Sequence, residues 1–239
     1  MRPLDYRRMD ECSRVLEWLA AAPGERILDV GCGDGHYDRR MARAGAIVDA
    51  VDARPDRLAL AARWNPHPRV RLHHMQAEAL RFPDGSFDKA VSICVLEHIP
   101  DDERAIRELY RVLRPGGRLV LSCDSLSNPG VSDRLRARHA ERYAVRHFYT
   151  RESLASLLAR NGLKVVRSEY VLTTPVSLAL ARFTYGADDL GRRRGGWVIK
   201  YPVAAIAGTL GVVASRASER VARRNDGGLT LIAEAIRER

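Results

Sequence analysis

The chain has 239 residues, of which 46% are apolar and 29% are charged, a composition that excludes a disordered or fibrous chain and predicts a globular protein with a sizeable core. Its formal net charge is +10, with the basic excess denser in residues 175–239, so an acidic partner or surface has to be considered. The four scattered cysteines form no C-x-x-C pair; we therefore expect neither a disulfide framework nor a zinc site, and a reducing compartment. No apolar segment follows the first charged residues, so no signal peptide is expected and the predicted location is cytoplasmic.

The first quarter of the chain predicts one strand–turn–helix–strand unit of a nucleotide-binding α/β fold. A helix is predicted over 10–22, where apolar residues have helical spacing up to a Pro-Gly stop. The apolar run 27–30 then leads into a glycine turn at 31–35 and a helix that ends near Gly45. A second apolar run, 47–51, ends in a carboxylate, Asp52.

The chemistry of this unit favours a cationic ligand that carries a ribose. Glycines at alternate positions allow a tight turn and leave the main chain open to a ligand, while the following helix directs its free N–H groups at the loop. Asp52 lies about twenty residues after Gly31, where a carboxylate can accept hydrogen bonds from both ribose hydroxyls. A dinucleotide fingerprint would need a glycine in place of His36, and the carboxylates Asp29 and Asp34 would repel a pyrophosphate.

Strands and helices continue to alternate along the chain, which predicts a doubly wound, mostly parallel sheet. The nearly continuous apolar run 87–95 is typical of a central parallel strand, and Asp101 is expected to cap the helix after it. No element is predicted for the polar stretch 124–149. The remaining predicted helices are 55–64, 101–113 and 150–161, and the remaining strands are 70–75, 117–123 and 163–172.

Several motifs resemble those of class I S-adenosylmethionine (SAM) dependent methyltransferases. The run ILDVGCGDG at 27–35 resembles the first motif of that family, and Val51-Asp52 resembles its ribose-binding acidic position. The resemblance continues in order through QAEAL at 76–80, FPDGSFD at 82–88, VLEHI at 95–99 and LRPGGRL at 113–119. It implies a seven-stranded sheet whose last strand, 229–233, is antiparallel, with SAM as the cofactor.

The resemblance also implies which residues bind the cofactor. Asp52 is expected at the ribose, and Glu78 beside the adenine, where the family usually has aspartate. Asp29 is expected to position the loop or to meet the cofactor's ammonium group through water. The expected SAM-binding residues are Asp29, Gly31, Cys32, Gly33, Gly35, Asp52, Ala77, Glu78, Ala79 and Cys94.

Two histidines are candidates for the base that an acceptor of high pKa requires. His98 follows the fourth strand, at the carboxyl edge of the sheet where such folds place substrates; the alternative is a histidine with a satisfied hydrogen bond in the turn. His147 lies in a segment that often borders the acceptor pocket in this family. No metal site is expected, since the adjacent His73 and His74 point to opposite faces of a strand.

Residues 175–227 predict a helical, basic amphipathic insertion in a methyltransferase core formed by 1–174 and 228–239. Apolar residues recur at helical spacing from Val203 to Val221, and arginines occupy the opposite side. The apolar stretch 201–215 is short for a membrane span. Three roles stay open for the insertion: a lid, a homodimer element, or a helix at 197–223 that lies on the membrane surface.

These patterns predict methyl transfer from SAM to a small-molecule or lipid-like acceptor, with an isoprenoid or quinone-like compound favoured, in the cytoplasm or peripherally at the inner membrane face. Two alternatives stay open. The basic charge alone favours a nucleic-acid methyltransferase, but Cys94-Val95-Leu96-Glu97 stands where amino-group nucleic-acid methylases carry Asn/Asp-Pro-Pro-Tyr, so nucleic acid is not the expected partner. A non-catalytic partner subunit is the other alternative, because no catalytic residue is unmistakable.

Overall fold

A computed structural model of the chain describes residues 6–180, 182, 217–218 and 227–238. Most of the predicted insertion, including nearly all of the amphipathic stretch 197–223, lies outside the described residues. At its beginning, residues 175–180 are helical, and Leu178 is buried in the core with 6% of its surface exposed. The division of the chain into a core and an insertion therefore stays a prediction.

Helices and strands alternate along most of the chain, but two successive helices precede the sixth strand. The helices are α1 (Tyr6–Leu19), α2 (His36–Arg43), α3 (Pro55–Trp64), α4 (Asp102–Val112), α5 (Asp133–Tyr143) and α6 (Arg151–Arg160). The strands are β1 (Arg26–Val30), β2 (Ile47–Asp52), β3 (Val70–His74), β4 (Phe87–Ile93), β5 (Leu113–Asp124), β6 (Leu163–Val171) and β7 (Thr230–Arg237). A 3-10 turn covers Leu96–His98. None of the described helices is both long and apolar enough to cross a membrane.

The strands form one seven-stranded sheet in the order β3-β2-β1-β4-β5-β7-β6. The first five strands pair in parallel, and β7 pairs antiparallel with both β5 and β6. The predicted doubly wound sheet with an antiparallel last strand is therefore confirmed. The strand order reverses between β1 and β4, and a crevice at the carboxyl ends of these two strands is where ligands bind in open α/β sheets.

Apolar layers cover both faces of the sheet. Successive strand residues point to opposite faces, so Leu28 belongs to one buried cluster and Ile27 to the other. The first layer includes leucines of α6, and the second includes Val15 and Leu19 of α1 together with Met41 of α2. Burial on both faces holds the carboxyl end of β1 in a fixed position, and this end leads into the glycine turn.

Local signals at the helix termini are also confirmed. The side chain of Asp101 accepts a hydrogen bond from the main-chain nitrogen of Arg104 at 2.9 Å, as expected of a cap. Pro55 occupies the first turn of α3, where its missing N–H costs nothing.

Several predictions about elements are wrong. Helix α1 ends at Leu19 instead of residue 22, and β5 begins at Leu113 instead of residue 117. The polar stretch 124–149 contains α5, which is capped by Ser132, whose hydroxyl accepts from the nitrogen of Leu135. This helix lacks an apolar stripe because the side chain that it buries is His139. The last strand extends to Arg237 instead of ending at Ala233, because the buried carboxylate of Glu234 interrupts the apolar run and is paired with arginines on both neighbouring strands.

Candidate active site

The glycine turn between β1 and α2 is tied to the neighbouring strand. The main-chain nitrogens of Gly31 and Cys32 donate to the carbonyl oxygen of Val51 at 2.8 and 3.0 Å. Gly31 has a φ of +81°, and a Cβ built on it would lie 2.2 Å from Cγ2 of Val95. Glycine is therefore required here by both conformation and space.

Gly33 presents the open side of the same turn. Its φ is +60°, and a Cβ built on it would meet nothing within 4 Å. Its main-chain nitrogen donates to Oδ2 of Asp52 at 2.9 Å, and Oδ1 of Asp52 accepts from the nitrogen of Arg54 at 2.8 Å. These bonds fix the Asp52 carboxylate beside the loop, while each oxygen keeps a second lone pair. The arrangement suits a ligand with two adjacent hydroxyl groups.

Asp29 supplies a second negative group beneath the turn. It is 3% exposed; burial raises its pKa to about 6, a hydrogen bond with Asp38 lowers the pKa, and the charge of Asp52 raises it. No lysine, arginine or histidine among the described residues forms an ion pair with Asp29. Burial, reinforced by Asp29 and neighbouring carboxylates, also raises the pKa of the Cys32 thiol, so this thiol stays neutral. The loop therefore offers negative charge that lacks a protein counter-ion, which suits a cationic ligand.

The turn that carries Ala77, Glu78 and Ala79 lies next to Asp52. The nitrogen of Met75, which directly follows β3, donates to the carbonyl oxygen of Asp52 at 3.3 Å. Ala77 is buried and Glu78 is partly exposed. The carbonyl oxygen of Glu78 accepts from Nε of Arg104 at 2.8 Å. The structure thus brings the turn 77–79, expected at the adenine, to the same edge of the sheet as Asp52, which is expected at the ribose.

Cys94 lies on the opposite side of the crevice, directly after β4. It is buried, with a φ of +50°, and its thiol donates to Oε1 of Glu11 on α1 at 2.7 Å. Its main-chain nitrogen donates to the carbonyl oxygen of Ser122 at 3.0 Å. The next residue, Val95, is the one that packs against Gly31, so Cys94 belongs to the rim of the crevice.

The two candidate bases, His98 and His147, are brought to one edge by main-chain hydrogen bonds. The carbonyl oxygen of Glu97 accepts from the nitrogens of Arg146 and His147 at 2.8 and 3.2 Å. Nδ1 of His98 lies 3.3 Å from the carbonyl oxygen of Ala144, and Nε2 of His147 lies 3.2 Å from that of Ile99.

These contacts set the tautomer of each ring. A carbonyl only accepts, so the nitrogen next to it carries the hydrogen in the neutral imidazole. The other nitrogen, Nε2 of His98 and Nδ1 of His147, then has a free lone pair and can remove a proton. The contacts agree both with a catalytic base and with a satisfied histidine in a turn.

A buried His–Asp pair at this edge was not singled out by the sequence. Nε2 of His139 lies 2.6 Å from Oδ2 of Asp124, and His139 is 4% exposed. Asp124 ends β5, and its nitrogen donates to Oε1 of the buried Glu97 at 3.3 Å. An aspartate that ends an apolar strand is the signal available in the sequence; its partner lies on α5, the helix that the pattern missed.

One cluster among the described residues brings metal-ligand atoms together, and it belongs to the same edge. Ligand atoms of Cys94, Glu97 and Asp124 lie within 4.8 Å of one another. Cys94 donates to Glu11, however, and Asp124 pairs with His139. Two of the three ligand groups are therefore already engaged by residues outside the cluster.

Residues 28–121 match a family model described as a methyltransferase domain. Among curated proteins, the chain is similar to the ubiquinone biosynthesis O-methyltransferase of Xanthomonas campestris pv. campestris, with 41% identity over 114 residues, which are 45% of this chain and 47% of that protein. The ubiquinone biosynthesis O-methyltransferase of Xanthomonas oryzae pv. oryzae is 40% identical over 125 residues, 51% of each protein. The chain thus spans about half the length of the curated relatives it matches.

Two solved structures extend the likeness to nearly the whole chain. The [4+2]-cyclase SpnF has a TM-score of 0.66 and 26% identity, covering 98% of this chain and 80% of that chain. Phosphoethanolamine N-methyltransferase 2 of Haemonchus contortus, in complex with S-adenosyl-L-methionine, has a TM-score of 0.68 and 18% identity, covering 96% of this chain and 53% of that chain. At 18% identity, the second match shows the fold alone.

Proposed function

We propose that this chain is a class I SAM-dependent methyltransferase that transfers the methyl group of SAM to a small-molecule acceptor; its matching methyltransferase domain and its fold support this. One observation carries the proposal. Asp52 is bonded to Gly33 on the open side of the glycine turn, above an Asp29 carboxylate that has no counter-ion among the described residues. The carboxylate oxygens of Asp52 can accept hydrogen bonds from the hydroxyls of a ribose. The negative charge of Asp29 suits the cationic amino-acid end of the same ligand.

The residues present fit SAM group by group. Asp52 would accept both ribose hydroxyls, and the main chain at Gly33 would lie against the ligand. The turn Ala77–Ala79 would border the adenine, and Asp29 would face the ammonium group. Bound SAM supplies a methyl carbon that its sulfonium activates for in-line displacement, so the protein mainly aligns the acceptor and excludes water.

Proton removal from the acceptor falls to the edge formed by residues 94–99 and 144–147. His98 and His147 each hold one ring nitrogen on a main-chain carbonyl. The opposite nitrogen is thereby left as a base with a fixed direction. An O-methylation needs such a base when the acceptor hydroxyl is protonated at working pH.

A quinone-like or other lipid-like acceptor is the favoured substrate class. The curated relatives, of which this chain matches about half the length, carry the name ubiquinone biosynthesis O-methyltransferase. The basic amphipathic pattern of 197–223 suits a helix at the inner membrane face, where an apolar acceptor would be presented. Under this proposal the protein is cytoplasmic and peripherally bound to the membrane.

The test is incubation of the purified protein with methyl-labelled SAM and host lysate, followed by separation into organic, aqueous small-molecule and RNA fractions. Label in the organic phase supports a lipid-like acceptor. Label in the aqueous fraction supports the methyltransferase and contradicts the lipid class, and label in RNA contradicts both acceptor classes. An Asp52→Ala variant is the control, because its loss of the ribose contacts should abolish labelling in every fraction.

A further inference from the structure

A second buried carboxyl group, that of Asp38, lies next to Asp29, and the described residues give it neither a hydrogen-bond donor nor a counter-ion. Asp38, the third residue of α2, is completely buried. Neither of its carboxyl oxygens accepts a hydrogen bond from an N–H or O–H group of the described residues. No described cation pairs with it either. A buried carboxylate without donors or a counter-ion would be strongly destabilising.

The group that Asp38 does meet is Asp29. The two carboxyl groups are within hydrogen-bonding reach of each other. Ionised carboxylates only accept hydrogen bonds, so a bond between them requires a proton on one of the two. Like charges at this distance also oppose a double ionisation.

The surroundings decide which of the two keeps the proton. Burial raises the pKa of Asp38 well above its usual value, and the charge of Asp29, the bond to Asp29 and the charge of Asp34 raise it further. The pKa of Asp29 rises only to about 6, because the bond from Asp38 opposes the effect of burial. These effects favour Asp38 as the group that keeps the proton and Asp29 as the carboxylate.

Among the described residues, the titratable groups that act on the pair are the thiol of Cys32 and the carboxylates of Asp34 and Asp52, and none of these is cationic. Ala61 of α3 lies beside the same turn: a Cβ on Gly35 would lie 3.0 Å from the methyl group of Ala61 and 3.4 Å from Oδ2 of Asp38.

On its other side, Asp38 lines an open cavity of about 220 Å³. His67, on the connection between α3 and β3, is the other titratable residue of this cavity, and the full lining is Gly35, Asp38, Ala61, Ala62, Asn65, Pro66, His67, Val70 and Leu72.

We propose that Asp38 is a neutral carboxylic acid that donates its proton to Asp29, and that it thereby acts as the positioning residue that keeps Asp29 ionised and directed at the ammonium group of the cofactor. The inference rests on the proposed function, since the cation is that of SAM. Below the pKa of Asp29, cofactor binding releases one proton from Asp29 to solvent. Above that pKa, binding releases none.

The test measures the dissociation constant of SAM by calorimetry between about pH 5 and pH 8.5, in buffers of different ionisation heat, so that released protons are counted. We expect constant affinity above about pH 7, a fall below about pH 6 that approaches tenfold per pH unit, and a proton release confined to the falling range. Affinity that is flat across this range with no proton release would overturn the inference and leave the methyltransferase proposal intact.

Two substitutions separate proton donation from mere packing. Asp38→Asn keeps a neutral donor of the same shape, so its affinity and pH profile should stay within about threefold of the natural protein. Asp38→Ala removes the donor, so the pKa of Asp29 rises and the fall in affinity moves to higher pH, with at least a tenfold loss near pH 6.5. Asp34→Asn, which removes a charge from the same loop without removing the donor, should not move the fall upward. Equal losses in Asp38→Asn and Asp38→Ala would contradict the inference.

An infrared measurement tests the pair without any cofactor. At pH 7.5, the carbonyl stretching band of a buried, neutral carboxylic acid should be present in the natural protein and absent from Asp38→Asn. If SAM fails to bind at every pH while this band is present, the proposed function fails and the proton assignment stands. Absence of the band from the natural protein would overturn the inference.

Discussion

Gly31 and Gly33 lie two residues apart and should respond differently to the same added methyl group. A Cβ at Gly31 would lie 2.2 Å from Val95, whereas a Cβ at Gly33 would meet open space. Gly31→Ala should therefore destabilise the protein by roughly 2 kcal/mol or more, from overpacking together with a positive φ. Gly33→Ala carries only the conformational cost of about 1 kcal/mol, but it should lose most of its SAM affinity because the methyl group occupies the ligand's side of the loop.

Thermal unfolding with and without SAM distinguishes the two variants. Adding Val95→Ala to Gly31→Ala removes the two closest contacts, those with Cγ1 and Cγ2 of Val95, and should restore part of the lost stability. An unfolding temperature of Gly31→Ala equal to that of the natural protein would show that the loop can move away from Val95. That result would contradict the rigid placement inferred for the turn.

Asp38 should make the unliganded protein less stable as the pH rises. Its pKa is raised in the folded state, so below the usual aspartate pKa both states are protonated and the group contributes nothing. Above that value the unfolded chain releases the proton while the folded protein retains it, and folding is increasingly disfavoured with pH. Asp38→Asn should therefore unfold a few degrees higher than the natural protein at pH 7.5, since about 1 kcal/mol corresponds to roughly 2–4 °C at this chain length.

The measurement is the unfolding temperature of both proteins between about pH 4.5 and pH 8.5. The difference should shrink toward the acidic end. A variant whose relative stability falls with pH would mean that Asp38 is ionised in the fold. Retention of a destabilising acid beside the cofactor loop is what selection for binding, and not for stability, would produce.

At the level of single residues, the sequence indicated which residues form the loop, but not which side chains contact each other in the folded protein. The glycines and Asp52 were predicted to bind the cofactor because their spacing suits such a ligand; the structure brings Gly33 and Asp52 into contact, and their binding role stays a prediction. Asp38 could not be identified, because a charged residue near a helix start is usually solvated and only tertiary packing buries it. The same holds for His139, whose partner Asp124 is brought to it by a helix that the pattern missed.

Among the elements, β7 carries a testable electrostatic feature in the middle of the sheet. Glu234 is 3% exposed and is paired with Arg118 of β5 and Arg167 of β6. Glu234→Ala should destabilise the fold by about 1.5–3 kcal/mol, because it removes the charge-assisted hydrogen bonds to two arginines that stay partly exposed. Glu169→Gln on β6 is the matched control, since its pair with Arg14 is largely exposed and should contribute about 1 kcal/mol or less. Urea unfolding of both variants measures the difference; equal effects would mean that solvent screens Glu234 as well.

Element boundaries were predictable wherever one local signal dominated. Pro55 and the cap at Asp101 identified helix starts correctly. The doubly wound, mostly parallel sheet was predicted from alternating strands and helices, and the family resemblance implied seven strands with an antiparallel last one; the order of the strands was not predicted. The end of β7 and the whole of α5 were missed because a buried Glu234 and a buried His139 stand where a pattern-based prediction requires apolar residues.

For the molecule as a whole, the fold determines where a ligand can bind but does not determine which reaction is catalysed there. One structural neighbour is a [4+2]-cyclase and another a phosphoethanolamine N-methyltransferase, with TM-scores of 0.66 and 0.68 to this chain. Both share the sheet that creates the crevice between β1 and β4. Consumption of SAM, and not the fold, therefore distinguishes a methyltransferase from other uses of this crevice.

The basic excess of the C-terminal part gives the last prediction, which concerns membrane association. Reversal of three arginines on the polar side of the predicted amphipathic stretch should weaken binding to vesicles that contain anionic lipid, because each such residue near the surface contributes about 1 kcal/mol and the contribution is screened by salt. The residues to change to glutamate are Arg216, Arg220 and Arg223. The matched control reverses three exposed arginines of the core, namely Arg63, Arg69 and Arg71. Cosedimentation at low and high salt measures binding. A similar loss in both triple variants would show that net charge alone drives association, and unchanged binding in the first would leave the insertion as a lid or a dimer element.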